Sequence, residues 1–196
     1  MVQASTCKFG PSTSCSAPGE IIYMDILPTP FDIGLTPKTT YPHMIIFMDV
    51  LSRFLGLHFK SSDVVAVAMK QFTSNYGLVD TFSYMNIDKV KADAGTQFTS
   101  VEFKVHCCNQ GLKLSLAALK HQTENHFAEC TWQSIGCITQ GMLVHAHLPD
   151  SFLFHALTYA VAVFNILPIY DLINAEGVVA TPSLLFLGSK PLVSLF

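Results

Sequence analysis

Charge is what this sequence has least of. Only 13% of its 196 residues are Asp, Glu, Lys or Arg, against about 25% in an average soluble domain. Arginine occurs once, at Arg53, and tryptophan once, at Trp132. The net charge of −3 provides no global basic field to draw the chain to a polyanion. None of the six cysteines forms a C-x-x-C pair and no histidine pair stands at finger spacing, so no structural zinc is expected. No apolar run opens the chain as a secretory signal would, and free thiols are therefore expected. What the sequence does have is apolar content: 50% hydrophobic residues and a mean hydropathy of +0.40. That excludes disorder for most of its length, and 196 residues suit one domain with a core of its own.

The scarce charges are unevenly spread. Residues 1–120 hold ten basic side chains against nine acids; beyond them Lys190 stands alone against Glu124, Glu129, Asp150, Asp171 and Glu176. Windows 130–149 and 151–170 contain no charged residue and imitate membrane spans. The first is interrupted by Thr131, Gln133, Ser134, Thr139 and Gln140, the second by His155, Asn165 and Pro168. Flanking aspartates replace the Lys or Arg that anchor a span, so both read as helices of a soluble core and no membrane partner is expected. His145, His147 and His155 read as packing or carbonyl-bonding histidines rather than metal ligands.

Along the chain, residues 1–18 form a lead rich in Ser, Thr, Pro and Gly. EIIYMDIL (20–27), MIIFMDVL (44–51) and FLGLHFK (54–60) are β-rich apolar runs, the last two joined as an antiparallel hairpin at Ser52-Arg53. Ser62-Asp63 can cap a helix that Gly77 ends. KVKAD (89–93) reads as a strand running into a Gly95 loop. Thr99-Ser100 then caps a helix expected to turn Val101, Phe103, Val105 and Cys108 inward. LKLSL (112–116) is a further strand. A long helix is expected from Glu124 to about His147, and another from Pro149-Asp150 to about Leu167. The order predicts an α/β domain with a mixed sheet.

In so acid-poor a chain, the placement of carboxylates is informative. Asp25 interrupts an apolar strand, which is costly unless compensated. Asp93 stands where a strand gives way to a glycine loop, and Glu129 near the start of a long helix. Carboxylates brought together repel, and a hard divalent cation relieves that repulsion. Each acid alone has an ordinary reading: a strand-edge residue, a turn former, a helix-dipole partner. The words around them carry more. GEIIYMDILPTP, IIFMDVLSRF, KADAGTQFTSVEF and HQTENHFAEC follow in that order, with 35 residues between Asp93 and Glu129. Together they resemble the integrase catalytic core of copia-type LTR retrotransposons, a ribonuclease H-like fold. LPDSFLFHALTYAVAVFNILP and TPSLLFLGSKPLVSLF resemble the region after that core.

The resemblance implies a five-stranded mixed sheet flanked by helices over 19–148, with extra C-terminal helices and a tail over 149–196. It places three catalytic, metal-binding carboxylates at Asp25, Asp93 and Glu129, holding two Mg²⁺ or Mn²⁺ ions. It implies DNA 3′-end processing and strand transfer, multimeric assembly, and work in the nucleus or in a cytoplasmic particle on the way there. Gln122 and Asn125, with Lys120 nearby, fall in a loop expected to touch DNA, whereas Asp49 reads as structural. The sequence also departs from the family. His126 replaces the usual glycine, and no Lys or Arg follows Glu129 through residue 149. The zinc-binding N-terminal and basic C-terminal regions of full integrases have no counterpart, so a fragment or decayed copy is expected. The alternative reading is an inactive interaction or nucleic-acid-binding remnant of the same fold.

Overall fold

The computed structural model describes residues 15–28, 43–60, 65–76, 87–116, 126–173 and 177–188. Three apolar runs become a meander: β1 (Ile21–Pro28), β2 (His43–Asp49) and β3 (Leu55–Lys60). β1 pairs antiparallel with β2, and β2 with β3. After α1 (Val65–Tyr76) the chain returns as β4 (Lys89–Ala92), parallel to β1. It then crosses through α2 (Val101–Asn109) into β5 (Lys113–Leu116), parallel to β4. The sheet order is β3-β2-β1-β4-β5. Parallel neighbours need long crossovers, and here helices provide them.

Side-chain alternation sorts the sheet into two faces. Ile22, Met24, Ile45, Phe47, Val90 and Ala92 face α1 and α2, sharing a core with Met69, Phe72 and Phe103. Tyr23, Met44, Ile46, Met48 and Leu55 face the other layer, built by α3 (His126–His145) and α4 (Leu153–Ile166). Ile135, Leu157, Ala160 and Val161 are the buried side chains those helices contribute to this core. A short α5 (Pro182–Leu187) sends Phe186 into the first core, stacked on Phe54 at 4.3 Å.

The polar residues inside the apolar late helices have specific employment. Asn165 is buried on α4; its Oδ1 accepts from the Leu55 N–H and its Nδ2 donates to the Leu55 carbonyl, both at 2.8 Å. It completes the edge of β3 as another strand would. Thr139 is buried and donates to the Ile135 carbonyl. No described helix is long and apolar enough to cross a membrane. The helix after Asp93 corrects one expectation. Phe103 and Cys107 are its buried residues, whereas Val101, Val105 and Cys108 are exposed. The i, i+4 pair meets the sheet, and a nine-residue helix buries only that narrow stripe. The expected cap pair Ser62-Asp63 and the terminating Gly77 lie outside the described residues.

Candidate functional site

The site is built where β1 and β4 run side by side. Their register pairs Tyr23 with Lys91 and Met24 with Ala92. One position further on stand Asp25 and Asp93. Adjacent strands lie about 4.8 Å apart, and residues two apart share a face. Asp25 and Asp93 are therefore neighbours across the sheet, on the Tyr23 face. That is the face α3 covers, and Glu129 lies in the first turn of α3. Two of the three predicted carboxylates are brought to adjacent positions, and the helix carrying the third begins on their side of the sheet. The Glu129 side chain lies outside the described residues, as do Lys120, Gln122 and Asn125.

Local chemistry fixes both aspartates. β1 continues past the last register pair with β4, and Asp25 is registered with Ile46 of β2. It is half-buried, and its Oδ1 accepts from the Ile26 N–H at 2.8 Å. Asp93 is exposed, and its Oδ1 accepts from the Gly95 N–H at 3.1 Å. A Cβ on residue 95 would lie 2.9 Å from that oxygen, so glycine is what lets the carboxylate fold back over the turn. Phe98 and Thr99 donate their N–H groups to the Gly95 carbonyl. Ser100 then caps α2 by accepting from the Phe103 N–H at 3.3 Å. Phe98 anchors the loop from beneath, buried edge-on against Phe103. The strand–turn–helix word ADAGTQFTS is thus a compact bracket presenting Asp93.

Asp49, the other acid in an apolar strand, belongs elsewhere. It pairs with Ile22, toward the opposite end of β1 from Asp25. Its carboxylate is fully buried and accepts from Gly19 N–H (2.7 Å), Ser52 N–H (2.7 Å) and the Ser52 hydroxyl (2.6 Å). Burial pushes its pKa up, opposed by those donors. Its bonding is consumed by the β2–β3 turn and by Gly19 ahead of β1, in line with a structural role. The single arginine sits in that same turn at φ 61°, largely buried and 3.8 Å from Asp171.

This architecture matches solved integrases. The fold is that of a retroviral integrase core. The HTLV-2 integrase catalytic core domain in complex with magnesium, in a trimeric form, superposes with a TM-score of 0.59 at 19% identity, over 87% of this chain and 97% of that one. An integrase-like match also comes from the simian T-cell lymphotropic virus intasome in complex with PP2A regulatory subunit B56 gamma, with a TM-score of 0.63 at 16% identity. There the alignment covers 90% of this chain but 56% of the other, so this chain spans little more than half of that protein. No protein-family model and no curated protein matches the chain.

On this integrase-like fold the lysines of the strands and of α2 divide between the two faces. Lys89, Lys91 and Lys113 share the Asp25–Asp93 face by register and alternation, whereas Lys104 is on α2, which packs on the opposite face. Lys113 is tied to Asp88 at 3.0 Å. His145 and His155 line an apolar groove of about 500 Å³ between the end of α3 and the start of α4, with Leu148, Phe152 and Tyr159. His155 packs against the rings of Phe152 and Phe154, in agreement with the packing reading. Among the described residues, no three His, Cys, Asp or Glu side chains gather as a metal cluster. Cys15, Cys107, Cys108, Cys130 and Cys137 are free thiols. One pair escaped the sequence reading: Tyr23 and Lys91, one strand repeat below the two aspartates. Lys91 Nζ donates to the Tyr23 hydroxyl at 3.4 Å and lies 5.4 Å from its ring centroid. The available signal was the matching i−2 spacing in YMD and KAD.

Proposed function

We propose that the chain is the catalytic core of a retrotransposon integrase of the copia type, a divalent-metal-dependent DNA 3′-end processing and strand-transfer enzyme. The observation that carries this reading is the adjacency of Asp25 and Asp93 past the Met24–Ala92 register pair. It is joined by the entry of α3, with Glu129 in its first turn, on the same face. Two carboxylates so close repel by roughly 1 kcal/mol in water and up to about 4 kcal/mol at an effective dielectric of 20. Hard oxygen donors held in such proximity fit Mg²⁺ or Mn²⁺.

Asp25, Asp93 and Glu129 are the residues that would hold two such ions. When bound, the pair of ions supplies an activated attacking oxygen and charge stabilisation on the leaving oxygen. The chain's own work is placement. β1 holds Asp25 rigidly within the sheet, and the Gly95 bracket aims Asp93. DNA is the partner: water attacks a phosphodiester in end processing, and the 3′-hydroxyl so formed attacks a second phosphodiester in strand transfer. Assembly into homo-oligomers belongs to the same reading. Gln122 and Asn125 are assigned to DNA contact by their family words alone, and Lys120 by its charge beside them.

A second reading, an inactive remnant of this fold, is favoured by one observation. α3 carries no Lys or Arg beyond Glu129, and the lone arginine is buried in the β2–β3 turn. Phosphate contacts dominate nucleic-acid affinity, so little remains to hold DNA. The deciding experiment is Mn²⁺-dependent nicking or disintegration of a branched DNA by the whole chain. Turnover above an Asp93→Asn control is expected. Activity equal to that control would leave only the remnant.

A further inference from the structure

We infer that Lys91, clamped by Tyr23, is a resident counter-cation of the Asp25–Asp93 pair that keeps the two aspartates together without metal and limits how tightly they bind it. The inference rests on the metal-site reading of these aspartates and deepens it. Tyr23 and Lys91 are registered partners on β1 and β4. Asp25 and Asp93 are the next pair on the same face, one two-residue repeat away, about 7 Å along the strands. The ammonium lies against Tyr23. Lys91 is half-buried as a residue, its Nζ bonded to the hydroxyl of a tyrosine that is only 8% exposed and 5.4 Å from that ring's centroid. Tyr23 is itself fixed in the core under α3 and α4.

A cation held in that position has two consequences. It offsets the mutual repulsion of the two carboxylates, and it opposes entry of a further positive charge. Lys91 does not touch the reacting phosphodiester in this scheme; it is a positioning residue that acts through Asp25 and Asp93. A lysine pinned against a buried ring is poorly placed to reach a DNA backbone, which separates this role from ordinary phosphate contact.

The test is Mn²⁺ titration of the whole chain by calorimetry, with thermal unfolding at zero and saturating Mn²⁺. Lys91→Met is expected to tighten Mn²⁺ binding about tenfold, the size of effect one charge exerts on a divalent ion across about 7 Å of water-like medium. Its Tm without metal should fall below wild type, with saturating Mn²⁺ recovering more of the difference than in wild type. Lys91→Arg should stay within about twofold of wild type, since it keeps the charge. Lys91→Gln supplies the neutral comparison if the methionine variant does not fold. Unchanged affinity in both neutral variants, alongside lost binding in Asp93→Asn, overturns the counter-cation role and leaves the metal site standing. Weakened DNA binding with unmoved Mn²⁺ affinity reassigns Lys91 to phosphate contact and likewise overturns it. Wild-type protein that binds no Mn²⁺ overturns the metal-site reading, and this inference with it.

Discussion

Two aspartates in similar apolar strands meet opposite fates, and register decides which. Asp25 lies just past the last β1–β4 register pair, at the edge of a glycine loop; Asp49 is enclosed by three donors, two from Ser52 in the β2–β3 turn and one from Gly19. Asp49→Ala would leave those donors buried and unsatisfied, so a loss of about 3 kcal/mol is expected in urea denaturation. Asp49→Asn should cost less but change the pH behaviour. The raised pKa of Asp49, caused first by burial, means the folded chain holds this proton more tightly than the unfolded chain. Its contribution is thus fully present below the ordinary carboxylate pKa and is lost as pH rises through the raised value. Unfolding midpoints compared between pH 4 and 7 should show that component in wild type and not in Asp49→Asn. The same carboxylate reaches Cys15, whose thiol is pushed up to about 11 by burial and then by the charges of Asp49 and Glu20. A thiol so protonated is a poor nucleophile at neutral pH. Iodoacetamide should label exposed Cys108 and Cys137 well before Cys15, and Asp49→Asn should speed the labelling of Cys15, read by mass spectrometry.

At the scale of elements, the strands were legible because apolar runs of five to eight residues between turn residues have few other uses. The β2–β3 hairpin was legible too, but the parallel pairing of β1 with β4 was not. The neighbourhood of Asp25 and Asp93 depends on a parallel pairing across 68 residues, and nothing local in either strand encodes that partner. The family words supplied the two residues; the Tyr23–Lys91 pair beneath them needed the register itself. α2 was misoriented for a related reason. Its apolar residues lie all around the helix, and the sheet it lands on selects Phe103 and Cys107. The bracket between β4 and α2 gives a sharp test. Gly95→Ala places a methyl 2.9 Å from an Asp93 oxygen, which sits at the end of a side chain that can rotate away. The expected outcome is a folded protein with Mn²⁺ affinity lowered several-fold, seen by calorimetry with an unchanged circular dichroism spectrum. Gly56→Ala is the contrasting case, because its methyl would lie 2.5 Å from the buried Phe72 ring. That ring is stacked on Phe47 at 4.5 Å and has no solvent to turn into. Overpacking of this kind costs about 1–3 kcal/mol, so Tm should fall while metal affinity per folded molecule stays constant.

For the whole molecule, the question is how a chain so poor in basic residues engages DNA. The candidate face offers Lys89, Lys91 and Lys113 among the described residues. With Lys91 turned to Tyr23 and Lys113 engaged by Asp88, few of these charges are available to phosphates. Each neutralised phosphate contributes about −0.9 to the slope of log affinity against log salt concentration on duplex DNA. The expected slope is therefore shallow, roughly −1 to −2, with weak affinity at physiological salt. Fluorescence anisotropy with a short duplex across a salt series measures it. Lys89→Gln should flatten the slope by about one contact, whereas Lys104→Gln, on the opposite layer, should leave it unchanged. A wild-type slope of about −6 or steeper would mean that DNA is held by a basic surface other than this face. The carboxylate end of the sheet would then be served by contacts that these three lysines do not make.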